Sequence, residues 1–271
     1  MKVVINKSLN AVILRAEKGL TYEFFMMNRI TGWLGRYLAT PLLNHKAVST
    51  SPSGLLCSVL KPGDVLLVEG DARVSVAIKY LTQSTWSHAA IYVGDVFENS
   101  AGEADVLIEA DIEKGVISAP ISKYENLHTR ICRPQNLTQE DRQKLVEFVT
   151  ERIGHQYDMK NIIDLVRYLL PTPPVPVSWR RRMIALGSGD PTRAICSTLI
   201  AQAFQSICYP ILPEIEIDLE KHITHNEREI MHIRHYSLYT PRDFDISPYF
   251  EVVKPSLVEG FNYKEVNWAK T

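Results

Sequence analysis

The sequence predicts an α+β fold in which an antiparallel sheet or half-barrel packs on a helix carrying Cys196, with a helical extension in front of it. Three observations predict it. From Lys61 onward the chain breaks into short apolar runs punctuated by turn residues, the texture of sequential antiparallel strands. Downstream, Leu199, Ile200, Ala203, Phe204 and Ile207 follow Cys196 at helical spacing. Ahead of both, Leu20, Phe24, Met27, Ile30 and Leu34 recur at helix-like intervals.

Composition bounds this reading. At 271 residues and 45% hydrophobic, the chain can bury one large core, with or without an extension. A net charge of -1 argues against a nucleic-acid binder dominated by phosphate contacts and says nothing of local patches. Lys7, Arg15, Glu17 and Lys18 interrupt every early apolar run, so the start does not read as a secretory signal. No stretch reaches the roughly 18 apolar residues of a membrane span, and the expected location is cytoplasmic. Cys57, Cys132, Cys196 and Cys208 are then expected to be reduced thiols, and none of their spacings is a zinc pattern.

The elements follow in order. Residues 1–53 form the extension, basic through Lys2, Lys7, Arg15, Lys18, Arg29, Arg36 and Lys46 against only Glu17 and Glu23. It ends where Pro41 and the Ser/Thr/Pro run from Ser49 to Ser53 break the helical pattern. Such a helix either docks on the main domain, residues 54–271, or touches anionic lipid. Lys61-Pro62-Gly63-Asp64 is a turn that launches Val65 to Val68, and Arg73 to Leu81 has helical character. The strand opening at His88 is expected to stop at Gly94-Asp95, and Asp105 to Ala110 and Leu127 to Cys132 are two further strands.

A helix opens at Thr138, with Asp141 three residues on, places Leu145, Phe148, Val149 and Arg152 on one side, and ends at Gly154. Met159 to Leu170 is a further helix that Pro171 to Pro176 cannot continue. Between it and Cys196 lies a Pro/Arg stretch containing Arg180, Arg181 and Arg182, either a lid or a surface excursion. The tail carries His222, His225, His232 and His235, and Pro241 to Val253 reads as a closing strand.

The chemistry concentrates in two segments. Trp86-Ser87-His88 puts a histidine at the start of a strand, and Ile195-Cys196-Ser197 puts a cysteine at the start of a helix. A thiol there meets unpaired backbone N–H groups and the positive end of the helix dipole, both favouring thiolate. His88, Ala90 and Tyr92 share one strand face, which small Ala90 would keep narrow enough for the Cys196 helix to approach. Glu109 ends an apolar run, where a carboxylate is costly unless paired, and orienting a histidine would pair it. Cys196 could equally be a buried structural cysteine. His128 is a second candidate base, and the His222/His225 and His232/His235 pairs have i, i+3 spacing that two metal ligands could use, although no familiar metal motif is matched. No metal and no cofactor is expected.

The order of these residues is specific. His88 in Ser87-His88-Ala89-Ala90-Ile91-Tyr92-Val93-Gly94, Glu109 followed by Gly115-Val116, Arg133 ending a strand, Gly154 with Tyr157-Asp158, and Cys196-Ser197 resemble the circularly permuted, YiiX/YebB-like branch of the NlpC-type cysteine peptidase superfamily. The resemblance covers about Lys61 to Val253. It implies a permuted papain-like fold with Cys196 as nucleophile, His88 as base and Glu109 as orienting residue, and it places Tyr157 at a pocket-lining position. Trp86 and Ser197, beside the histidine and the cysteine, are further candidate substrate contacts. Ile-Cys-Ser-Thr stands where the non-permuted members have Asp-Cys-Ser-Gly, so their peptidoglycan specificity is not carried over.

The expected function is a cysteine hydrolase that cleaves amide bonds of a small peptide or peptide-like substrate through a thioester acyl-enzyme. The alternatives are a thiol acyltransferase or lipase acting on lipid esters, and a catalytically silent binding module of the same fold. The expected partners are that substrate and, through residues 1–50, an anionic membrane surface.

Overall fold

The structure is a computed structural model that describes residues 40, 53–98, 104–111, 114–156, 195–217, 229–258, 260 and 262–265. The expected extension up to residue 52, apart from residue 40, the expected helix from Met159 and the Pro/Arg stretch lie outside the described residues, as do Tyr157, His222 and His225.

The described chain begins with helix α1 (Ser53–Val59). The Lys61 turn follows, closed by the Asp64 N–H donating to the Lys61 carbonyl at 2.9 Å, and leads into β1 (Val65–Glu69). Helix α2 (Arg73–Thr82) and strands β2 (His88–Glu98), β3 (Ala104–Asp111) and β4 (Gly115–Ala119) come next. A 3-10 helix (Ile121–Tyr124) connects to β5 (His128–Pro134). Helices α3 (Gln139–Thr150) and α4 (Ile195–Ser206) are followed by β6 (Glu214–Ile217), β7 (Glu229–His232), α5 (Pro241–Ile246), β8 (Phe250–Val253) and α6 (Pro255–Val258).

Among the described residues six strands form one sheet in the order β4-β3-β2-β1-β5-β8, all neighbours antiparallel. β6 and β7 pair separately. β1 lies inside the sheet and is covered on both faces, which is why it reads as a continuous apolar run instead of an alternating one. Val65 and Leu67 point into a core shared with Leu145 and Val149 of α3 and Leu199, Ile200, Ala203 and Phe204 of α4. Leu66 and Val68 point the other way, into a core closed by Leu56 and Val59 of α1 and Ile121 and Tyr124 of the 3-10 helix.

Phe204 seals the first core edge-on against Phe250, their ring centroids 5.1 Å apart. Where β1 begins and β5 ends, fully buried Asp64 receives Nε and NH2 of Arg133, at 3.0 Å on Oδ1 and 2.7 Å on Oδ2. That bidentate pair explains why an arginine ends β5 beside the Lys61 turn.

Several expectations change in the structure. β2 does not stop at Gly94: the glycine adopts φ +86°, the pairing register shifts between Tyr92 and Phe97, and the strand re-pairs through Phe97 with Asp105 and Glu98 with Ala104. A glycine that reads as a terminator accommodates an irregularity here. β4 is an edge strand with a mixed burial pattern, so it carries no clean period for sequence to reveal. The expected closing strand divides into α5 and β8. The Thr240 hydroxyl and the Asp243 carboxylate form a reciprocal capping box with Pro241 in the first turn, and that start signal was present in the sequence. α3 begins as expected, with Thr138 Oγ1 accepting from the Asp141 N–H at 3.1 Å.

No helix among the described residues is long and apolar enough to cross a membrane. The four cysteines are free thiols.

Candidate active site

His88 is the first residue of β2 and stands opposite Val68 of β1. The chain is held at this point by the Ser87 hydroxyl, which accepts from the Gly70 N–H at 2.9 Å. Gly70 has to be small, because a Cβ there would stand 2.4 Å from Ser75 Oγ. On β3, Glu109 lies opposite Ala90, so Glu109 and His88 are diagonal neighbours on one face of the sheet, within reach of long side chains. His88 Nε2 and Glu109 Oε2 are 2.7 Å apart. The other imidazole nitrogen, Nδ1, is left for the thiol. Cys196, the second residue of α4, lies close enough to His88 to raise it through charge and hydrogen bonding.

Glu109 is 1% exposed on its side chain, and three donors converge on it. His88 and the Tyr124 hydroxyl approach Oε2, and the Lys123 ammonium approaches Oε1. Burial by itself would push the carboxyl up, but the cations of His88 and Lys123 outweigh it and hold Glu109 at about 2. Burial works against the His88 imidazolium too. The charges of Cys196 and Glu109, with their hydrogen bonds, overcome that and raise His88 to about 10. Tyr124 is raised well above the ordinary phenol range by burial and by the adjacent Glu109 anion, so it stays a donor. At neutral pH the cluster therefore holds a carboxylate and an imidazolium beside the buried Cys196 side chain, the arrangement that favours a reactive thiolate.

The helix that presents Cys196 does not approach as the sequence suggested. It packs on the face of Ala89, Ile91 and Val93, while Ala90 faces Leu107 and Tyr124. Ala90 makes room for the 3-10 helix instead of α4. His88 opens its strand and Cys196 opens its helix, so the two meet at the end of the sheet.

Two of the expected substrate contacts are buried. Ser197 is fully buried, and its hydroxyl donates to the Tyr239 carbonyl at 2.7 Å, tying the start of α4 to the segment before α5. Trp86 is 2% exposed, its indole N–H donates to Asp245 Oδ2 at 2.9 Å, and the Arg130 guanidinium covers its ring at 4.9 Å. Both side chains are spent inside the protein and offer no surface to a ligand. Ser197→Ala is accordingly expected to cost about 1 kcal/mol in urea denaturation, the net value of an ordinary hydrogen bond, with the KM for any substrate unchanged.

His128 pairs with Glu69, Nδ1 to Oε2 at 3.2 Å, and leans on Trp86 with ring centroids 5.0 Å apart. Cys132 is four residues further along the same extended strand, roughly 13 Å away at strand rise, so those two make no second thiol–imidazole pair. Burial pushes the Cys132 thiol far up, which makes it inert. His235 caps the 3-10 turn Tyr236–Leu238 by accepting from the Ser237 N–H at 3.3 Å. Among the described residues no group of three or more His, Cys, Asp or Glu side chains could hold a metal ion. Lys123 and Tyr124 were not singled out in the sequence, because a short 3-10 helix carries no period that would point them at Glu109.

Residues 59–168 match the family described as permuted papain-like amidase enzyme, YaeF/YiiX, C92 family. The matched segment carries His88, Glu109, Lys123 and Tyr124, and Cys196 lies beyond its end. Among solved structures, the chain is similar to the metalloprotein YiiX, DUF1105, from Escherichia coli O157:H7, at 16% identity and a TM-score of 0.42, over 72% of this chain and 96% of that one. No curated protein matches it. The resemblance read from the sequence and the family matched are the same, a YiiX-like permuted papain-like peptidase, and the activity class is that of a hydrolase.

Proposed function

We propose that this permuted papain-like hydrolase cleaves amide bonds of a small peptide or peptide-like substrate, with Cys196 as nucleophile, His88 as general base and then acid, and Glu109 as the residue that orients His88. One observation carries the reading: the His88 ring lies between the Glu109 carboxylate, at 2.7 Å from Nε2, and the Cys196 thiol at the start of α4. In the thiolate–imidazolium pair the proton of the thiol is held on His88 Nδ1, and the carboxylate supports the positive charge. The thiolate adds to the amide carbonyl, forming a C–S bond. Backbone N–H groups at the start of α4 supply donors for the oxyanion. Collapse of the tetrahedral intermediate breaks the C–N bond, and His88 returns its proton to the leaving amine. Water then attacks the thioester and releases the acid, restoring the thiol.

The test is single-turnover mass spectrometry with a panel of short peptide anilides. The expected result is release of one equivalent of the aniline per active site, with the acyl mass found on the Cys196 peptide. Turnover by Cys196→Ala equal to that of the wild type would overturn the reading. Transfer of the trapped acyl group to an added amine or alcohol in preference to water would make the enzyme an acyltransferase with the same machinery.

A further inference from the structure

We propose that Lys123 and Tyr124 are positioning residues of this site, a brace on Glu109 that fixes the carboxylate against His88 and sets the pH window in which the thiol–imidazole pair is active. The proposal rests on the function proposed above and assigns roles to two residues that lie outside the expected Cys-His-Glu set.

The argument starts from the carboxylate. Glu109 presents two oxygens in an interior where its side chain is 1% exposed. Oε2 is shared between the imidazole and the Tyr124 phenol, and Oε1 rests on the Lys123 ammonium. With both oxygens engaged, the group cannot turn about its last bond without breaking a contact, so the His88 ring it holds cannot turn either. Lys123 and Tyr124 are consecutive residues of the 3-10 helix Ile121–Tyr124, and one rigid turn therefore delivers both donors.

Their chemistry divides the work. The His88 imidazolium is the larger of the two cationic influences that keep Glu109 ionised, and Lys123 offsets part of the negative charge that His88 feels. The Lys123 side chain is 40% exposed, so the ammonium keeps contact with water. Tyr124 is 4% exposed, with its ring 5.9 Å from that of His88. It shares the oxygen His88 uses and so limits how strongly that oxygen draws the imidazole proton. The charged or titratable groups facing this cluster are His88 on β2, Cys196 on α4, Lys123 and Tyr124 on the 3-10 helix, and Asp111 on β3, whose carboxylate accepts from the Lys114 N–H at 2.9 Å.

The signs follow. Without Lys123, the Glu109 charge beside His88 is uncompensated. The imidazolium is then favoured and the neighbouring thiolate disfavoured, so both the lower and the upper limb of reactivity move to higher pH. Without the Tyr124 hydroxyl, only the pull on the imidazole grows, and the upper limb alone moves up.

The experiment is the rate of Cys196 carboxymethylation by iodoacetate, an anionic reagent that responds to the imidazolium, followed by peptide mass spectrometry from about pH 4 to about pH 11 across the wild-type His88 range. Wild type, Lys123→Met, Lys123→Arg and Tyr124→Phe are compared in the full chain, with thermal melts to confirm folding. Lys123→Met is expected to raise both limbs by several tenths of a pH unit, less than the roughly 1–3 units of charges in direct contact. Lys123→Arg restores the wild-type limbs, and Tyr124→Phe raises the upper limb. A purely structural role would lower the melting temperature and leave the limbs in place, and that result overturns the brace. If Lys123→Met does not fold, the upper limb of Tyr124→Phe decides alone. A wild-type Cys196 that reacts like an ordinary thiol overturns the function on which the brace depends, an outcome separate from unmoved limbs in an active enzyme.

Discussion

Replacing His88 by alanine is expected to lower turnover by roughly 10²–10⁴-fold, the usual contribution of a positioned general base. Alkylation of Cys196 should return to the profile of a free thiol near about 8.5. The expectation rests on what surrounds the ring. In the wild type the imidazole is held on one side by Glu109 at 2.7 Å and acts on Cys196 from the other, so its charge is available to the thiolate below neutral pH. Alanine removes that charge and leaves only the N-terminal dipole of α4 to assist the thiol, worth about 0.3–1 kcal/mol. The remaining cysteines are internal references: Cys57 and Cys208 are exposed, and Cys132 is buried and inert. A His88→Ala protein whose Cys196 still reacts quickly at about pH 6, well below the free-thiol value, would show that the imidazole does not activate it.

Glu109→Ala is expected to damage the fold as well as the chemistry. The substitution leaves the His88 cation and the Tyr124 hydroxyl facing a hole, with Lys123 free to turn to water through its exposed side. About 3 kcal/mol of stability should be lost, the low end of the roughly 3–5 for breaking a buried pair, because only part of that charge is trapped. Glu109→Gln keeps the volume and part of the hydrogen bonding. It should unfold at a higher urea concentration than the alanine variant while losing the same charge beside His88.

The pH dependence has a definite sign. The Glu109 carboxyl is lowered to about 2 in the fold, so its contribution is complete above the ordinary carboxylate range near about 4.3. It is lost as the pH falls from there toward 2. His88 is raised to about 10, so its contribution is complete below the ordinary histidine value of about 6.5 and is lost as the pH rises through 10. Urea midpoints should therefore be highest between about pH 4.5 and 6.5 and fall on both sides. The acid-side fall should shrink in Glu109→Gln and the alkaline-side fall in His88→Ala. A wild-type midpoint that does not change across either limb would remove the linkage from that side.

The parts of the molecule legible in sequence were those whose signal is local. Val65 to Val68, Arg73 to Leu81 and the helix opening at Thr138 carried their own patterns of apolar residues, turns and caps, and each forms the expected kind of element, although that helix ends at Thr150 and not at Gly154. Trp86 and Ser197 were singled out because they neighbour reactive residues in the chain, yet adjacency along a strand or helix sends successive side chains in different directions, and both are buried away from any ligand. The approach of α4 was misjudged for a related reason: a strand has two faces, and a small residue such as Ala90 does not say which helix will occupy the space.

The sequence by itself determined the α+β class, the strand start that bears His88, the helix start that bears Cys196 and the apolar run that ends in Glu109, because period, capping and turn chemistry act over a few residues. Only the tertiary structure decided that His88 sits between Glu109 and Cys196, that α4 covers the opposite face of the sheet, and that Lys123 and Tyr124 hold the buried carboxylate. Those relations depend on strand register and on which elements pack together. Register brings Ala90 opposite Glu109 through a pairing that no local pattern encodes, and the burial it creates is what makes the charge of each neighbour count.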